Sequence, residues 1–186
     1  MRKLILKLSC SIIGYNGAGK STLLHILSGF IKQTEGDRYC NFYDAKSKLN
    51  SIGFCSQDNT ALPQNTIHEN LVFWARIKNV PRNLIDSEVD TMMQKLGLVH
   101  SRNALISSLS VEIRKRLCIA IALLNNPQII IMDEPTSGLD AASRETFRGI
   151  IREMKRDQKT VIFTTQFLDD AEQFVDRLTI LSEGFY

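Results

Sequence analysis

A chain of 186 residues, 44% hydrophobic and 23% charged, has the profile of one globular domain able to bury a substantial core. Its formal charge of +3 is too small to argue for a nucleic-acid partner, and the basic cluster Arg114-Lys115-Arg116 reads as the solvated face of a helix. No uninterrupted apolar run approaches the length that spans a bilayer, since Leu117 to Leu124 is broken by Asn125-Asn126-Pro127. A membrane role would therefore have to come from segments or partners outside this chain.

The start, Met1-Arg2-Lys3, resembles a signal peptide only until Lys7 interrupts it, and reads as the approach to a strand at Leu8 to Ile13. Then comes Gly14-Tyr15-Asn16-Gly17-Ala18-Gly19-Lys20-Ser21, which leads into a helical pattern from Lys20 to Ile31. A glycine-rich turn before a helix can be a mere tight connection. Here the strand, loop and helix context matches G-x-x-x-x-G-K-[ST], so the run reads as a phosphate-binding loop. Glycines let consecutive N–H groups converge with a helix N-terminus on an anion. Lys20 adds a point charge for terminal phosphates, and the Ser21 hydroxyl can ligate Mg2+.

Ser51 to Cys55 is the next candidate strand. Asp58 to Ser108 holds two helical patterns and no convincing strand, punctuated by Pro63 and the Asn79-Val80-Pro81 turn. Phe73-Trp74 within it reads as core packing. Val111 to Leu124 is helical again. Ile129 to Met132 is a four-residue apolar run, expected as a buried parallel strand that delivers Asp133 and Glu134 at its C-terminal end. Asp133 would hold the metal, directly or through water, and Glu134 would polarise an attacking water. A helix at Ala141 to Lys155, a strand at Val161 to Thr164, a helix at Phe167 to Phe174 and a strand at Leu178 to Leu181 complete the series. The alternation predicts an α/β fold with a mostly parallel sheet and its ligand at the strands' C-terminal ends.

Cys10, Cys40, Cys55 and Cys118 show no metal-ligand spacing and read as reduced, partly buried thiols. His25, His68 and His100 are scattered and read as surface or packing residues. There is no internal repeat and no Asn-Lys-x-Asp guanine-reading motif.

The order of these motifs resembles the nucleotide-binding domain of ABC transporters. Ser51-Ile-Gly-Phe-Cys-Ser-Gln57 looks like the strand ending in the Q-loop glutamine, and Leu109-Ser110 stand where the family signature begins. Glu134-Pro-Thr-Ser-Gly-Leu-Asp140 looks like the passage from Walker B to D-loop, and Phe163-Thr-Thr-Gln166 like the switch segment. Together these elements cover Ile12 to Glu172, and Cys55 to Lys78 further resembles the A subfamily, many of whose members move lipids.

The resemblance implies a P-loop NTPase core formed by 1–57 and 109–186, with an inserted helical subdomain at 58–108. It implies an ATP site made by Gly14, Tyr15, Asn16, Gly17, Ala18, Gly19, Lys20, Ser21, Thr22 and Gln57. Ser21, Gln57 and Asp133 would hold Mg2+, and Glu134 and Gln166 would act in hydrolysis. Ser110 would serve in trans, on nucleotide held by a second domain with an intact signature. Transmembrane domains in the same or another chain would anchor it to a membrane, with this domain on the cytoplasmic side and no nucleic acid involved. The family's N-terminal antiparallel β-subdomain is expected to be largely missing, as in a fragment or short isoform.

Two departures bear on activity. The signature is Leu109-Ser110-Val111-Glu112-Ile113 in place of Leu-Ser-Gly-Gly-Gln, which puts a β-branched side chain and a carboxylate where glycine N–H groups would approach the partner's γ-phosphate. Gln166 replaces a histidine, and a glutamine amide donates a hydrogen bond without carrying a proton or a positive charge. The first expectation is an ATP-hydrolysing motor domain of an exporter. The second is a regulatory module that binds Mg-ATP and hardly turns it over. Soluble ABC proteins of translation or DNA repair fit less well, because this chain shows neither a paired domain nor a long coiled coil.

Overall fold

The computed structural model describes residues 9–36, 52–57, 60–167 and 175–182. Five strands form one parallel sheet: β1 (Ser9–Ile13), β2 (Ile52–Cys55), β3 (Ile129–Met132), β4 (Thr160–Thr165) and β5 (Arg177–Ile180), in the spatial order β2-β3-β4-β1-β5. All four pairings are parallel, with Ile12 opposite Thr164, Met132 opposite Phe163 and Cys55 opposite Met132. The C-terminal ends of β1, β2, β3 and β4 therefore come together at one edge of the sheet.

Both faces of the sheet are covered, which is why β3 reads as continuous apolar sequence. Along it Ile129 and Ile131 join a small cluster with Ile12, Leu24 and Ile162. Ile130 and Met132 join the larger core on the other face, as the two-residue strand period requires. Helix α1 (Lys20–Ser28) supplies the small cluster through Leu24, which is wholly buried. The larger core receives α2 (Ile67–Ile77), α3 (Ile85–Lys95), α4 (Val111–Leu123) and α5 (Ala141–Arg156). Each Leu, Ile or Phe buried there contributes about 1.5 to 3 kcal/mol.

Local chemistry sets the element ends. Helix α1 stops at Ser28 and not at Ile31, because Gly29 takes a left-handed φ of 91° and its N–H turns back to the carbonyls of His25 and Ile26. Helix α2 starts in a capping box in which the Thr66 hydroxyl accepts the Glu69 N–H and the Glu69 carboxylate accepts the Thr66 N–H. Ser110 caps α4 and Asp140 caps α5 by a single bond each, their side-chain oxygens accepting the N–H of Ile113 and Ser143. The last carbonyls of α4, at Ile121 and Ala122, accept from the Lys78 ammonium at 2.6 and 2.8 Å. Burial without a carboxylate partner pulls that ammonium down to a pKa of about 8.

Residues 60–108 contain α2, α3 and short 3₁₀ turns, with an isolated antiparallel bridge between Thr66 and Leu105 as their one β feature. Phe73 is 40% exposed, contrary to its reading as core, while Trp74 packs partly against the large cluster. Helix α4 lies so close to β2 that a Cβ at Gly53 would sit 2.2 Å from the Ala122 carbonyl oxygen. Cys10, Cys55 and Cys118 are buried free thiols, and burial pushes the Cys55 thiol up to about 12. Cys40 and most of the expected helix Phe167 to Phe174 lie outside the described residues. No helix among the described residues is long and apolar enough to cross a membrane.

Candidate functional site

Strand β1 runs directly into the glycine loop. Gly14 lies against the chain after β5, and a Cβ there would meet the Leu181 carbonyl oxygen at 2.3 Å. The loop then turns tightly, with the Ala18 N–H donating to the Tyr15 carbonyl at 3.1 Å. Gly17 and Gly19 adopt φ of 83° and 95°, a region that side chains rarely enter. Lys20 follows as the first residue of α1, buried, its ammonium donating to the carbonyls of Gly14 at 2.7 Å and Tyr15 at 3.2 Å. That contact closes the loop around the lysine.

The carboxylates arrive from the middle of the sheet. Asp133 continues the β3 ladder through its N–H to the Cys55 carbonyl, and both Asp133 and Glu134 are buried. Glu134 has a φ of 45°, a left-handed conformation that costs a non-glycine residue about 1 to 3 kcal/mol. Thr164 on β4 holds it there, because the Glu134 N–H donates to Thr164 Oγ1 at 2.8 Å. The same hydroxyl donates to Asp133 Oδ1 at 2.5 Å. One wholly buried hydroxyl thus ties both carboxylate residues to β4. Sequence reading missed Thr164; its one signal is a polar Thr164-Thr165 pair closing an otherwise apolar strand.

Glu134 also faces the loop. Its Oε1 lies 3.5 Å from the Lys20 ammonium and accepts from Gln166 Nε2 at 2.8 Å. Gln166 Nε2 donates as well to Asn16 Oδ1 at 2.8 Å, so the glutamine bridges the carboxylate and the glycine loop. These groups surround a cavity of about 250 Å³ lined by Asn16, Gly17, Gly19, Lys20, Ser21, Thr22, Gln57 and Glu134. Of the remaining expected residues, Ala18 is buried behind the loop and Tyr15 is 88% exposed. Asp133 lies behind Glu134 under Thr164, and Ser110 stands apart as the cap of α4.

Within this chain the Glu112 carboxylate accepts from Arg116 Nη2 at 2.5 Å and from Ser143 Oγ at 2.6 Å. An i,i+4 spacing on α4 and the first turn of α5 bring those donors to it. One expectation needs correction: the basic cluster is not a solvated face, since Lys115 is buried and Arg114 and Arg116 are half-buried.

The chain matches the family described as ABC transporter over residues 8–137. It is 36% identical to the ABC-type organic anion transporter ABCA8A of Mus musculus, over 94% of this chain and 11% of that protein. It is 35% identical to the phospholipid-transporting ATPase ABCA3 of Homo sapiens, over 93% of this chain and 10% of that protein. The chain thus spans about a tenth of the length of these curated relatives. Among solved structures, a dimeric ATP-binding cassette in a post-hydrolysis state bound to ADP and Pi superposes with a TM-score of 0.88 at 28% identity, covering 98% of this chain and 84% of that one. The cbiO1 cassette of Clostridium perfringens, described as part of the ABC transporter complex cbiONQ, gives 0.81 at 28% identity, covering 98% and 76%.

Proposed function

Because this chain belongs to the ABC transporter family, we propose that it is a Mg-ATP-binding and ATP-hydrolysing domain whose nucleotide-driven pairing with a second such domain drives transport. The observation that carries the reading is the Lys20 ammonium, held by the loop carbonyls and facing Glu134 across one cavity. A loop that cages a lysine beside a helix N-terminus is built for the β- and γ-phosphates of a nucleotide.

In this reading Asn16, Gly17, Gly19, Lys20, Ser21 and Thr22 bind the phosphates, with Gly14, Tyr15 and Ala18 shaping the loop. Ser21, Gln57 and Asp133 would hold Mg2+, and all three offer the hard oxygen donors it takes alongside phosphate and water. When bound, the ion neutralises charge on the β- and γ-phosphate oxygens. Glu134 orients and polarises the attacking water. Gln166, hydrogen-bonded to Glu134 and Asn16, fixes that carboxylate's direction. Ser110 serves nucleotide on a partner domain. Titrating a fluorescent ATP analogue with Mg2+ into wild type and Lys20→Ala tests the pocket. Losing one charge-assisted contact costs about 1.5 to 3 kcal/mol, an affinity loss of about tenfold or more. Equal affinities would overturn the assignment.

Beyond this domain, we propose a transporter whose transmembrane segments lie elsewhere in the same or a partner chain, with this domain on the cytoplasmic face. Its relatives named for organic anions and phospholipids point to export of a lipid or another amphipathic anion. A second reading, a nucleotide-binding regulator with slow turnover, is favoured by Gln166, which bonds Glu134 but cannot relay a proton, and by Val111, 60% exposed where the family signature has glycine.

A further inference from the structure

Gln57 is a wall between two cavities. One is the glycine-loop cavity, and the other, of about 320 Å³, lies beside the first turns of α4. Arg114, Lys115 and Cys118 of α4 line the second together with Val111 and with Ser137 from the segment after β3. Among the described residues no carboxylate lines it.

Lys115 is the anomaly. It is 9% exposed, and among the described residues no hydrogen bond or ion pair engages its ammonium. Among the described residues the other two buried lysines have acceptors: Lys20 has the carbonyls of Gly14 and Tyr15, and Lys159 has Asn126 Oδ1. Arg114 adds a buried Nε that also lacks an acceptor. The nearby acid on the same helix, Glu112, is committed to Arg116 and Ser143. A buried donor without an acceptor is costly, and for Arg114 Nε an anion in the cavity removes that cost. The N-terminal end of the 13-residue α4 contributes positive potential, and Ser137 and Gln57 contribute further donors.

We infer that this second cavity is an oxyanion site for inorganic phosphate, separate from the nucleotide pocket and sharing only Gln57 with it. Lys115 and Arg114 supply the charge. Val111 of the signature segment borders the cavity but Ser110 does not, and the anion is held by the same chain as the adjoining nucleotide pocket, where the signature's expected role is on a partner's nucleotide.

Radiolabelled inorganic phosphate, in equilibrium dialysis with the full chain, tests the inference. Lys20→Ala silences the glycine loop, so phosphate that still binds saturably to this variant occupies the second site. Adding Lys115→Met should weaken that binding by about tenfold or more. Affinity for a fluorescent ATP analogue, measured on Lys115→Met alone, should be unchanged. Arg114→Gln, at a half-buried position, carries the same expectation should Lys115→Met fail to fold. Absence of saturable phosphate binding to Lys20→Ala, or binding indifferent to both substitutions, overturns the inference. A wild-type chain that bound phosphate through Lys115 but not the ATP analogue would sink the proposed function and leave this site standing.

Discussion

Thr164→Val removes a single hydroxyl from the centre of the site while keeping shape and volume. In the native chain that hydroxyl accepts the Glu134 N–H at 2.8 Å and donates to Asp133 Oδ1 at 2.5 Å, both out of contact with water. Valine leaves a buried N–H without an acceptor, worth about 1 to 3 kcal/mol, and deletes a hydrogen bond to a charged group, worth about 1.5 to 3 kcal/mol. The two losses share one atom and overlap, so the expected destabilisation is about 2 to 4 kcal/mol. For a chain of this size, about 3 kcal/mol lowers the melting temperature by about 6 to 12 °C. Glu134 also loses the tether that holds its left-handed φ of 45°. Mg-dependent binding of the ATP analogue should therefore weaken along with stability. Thr164→Ser keeps the hydroxyl and should restore Mg-dependent binding, losing only the contribution of a methyl group. Urea denaturation and Mg2+ titration of analogue binding, run on all three proteins, decide the matter. A valine variant within about 0.5 kcal/mol of wild type, or a serine variant as impaired as valine, would refute the reasoning.

Gln166→His should raise steady-state ATP turnover in a pair whose partner domain has an intact signature, with analogue affinity nearly unchanged, because the gain falls on charge that develops in the transition state. An unchanged rate with binding intact would mean that another residue limits hydrolysis. Asp176 is held at about 2, below its ordinary 3.8, first by the Lys155 ammonium and then by the Ser9 N–H. Its folded value is depressed, so its stabilisation is present above pH 3.8 and is lost as pH falls toward 2. The side chain is 36% exposed, which screens the contribution to about 1 kcal/mol. Asp176→Asn should flatten stability against pH in that window, and an unaltered slope would count against the pairing. Gly53→Ala drives a Cβ into the Ala122 carbonyl, 2.2 Å away, and should cost about 1 to 3 kcal/mol or more; an unshifted urea midpoint would show that α4 can move off β2 freely.

The sequence by itself determined the elements and the reactive motif. A strand buried on both faces must be apolar throughout, so Ile129 to Met132 was legible, as was the delivery of Asp133 and Glu134 at its end. The glycine loop was legible because its chemistry is local: Gly17 and Gly19 need positive φ, and Lys20 bonds carbonyls only five and six residues away. Helix starts were legible where a cap sits beside the run it begins, as at Ser110 and Asp140.

Tertiary structure decided what depends on sheet order and helix packing. Thr164 meets Asp133 across 31 residues because β4 lies beside β3, and Gln166 meets Asn16 across 150 because β4 also lies beside β1. No periodicity in either segment records which strand is its neighbour. Nor does a run of three basic residues record which of them turns inward. Arg114, Lys115 and Arg116 are equivalent on paper, but successive residues on a helix point about 100° apart, so the packing of α4 on β2 buries Lys115 against a cavity and leaves its neighbours half in water. Nor does the sequence record that the approach of α5 brings Ser143 to the Glu112 carboxylate, beside an Arg116 already within reach one turn along α4.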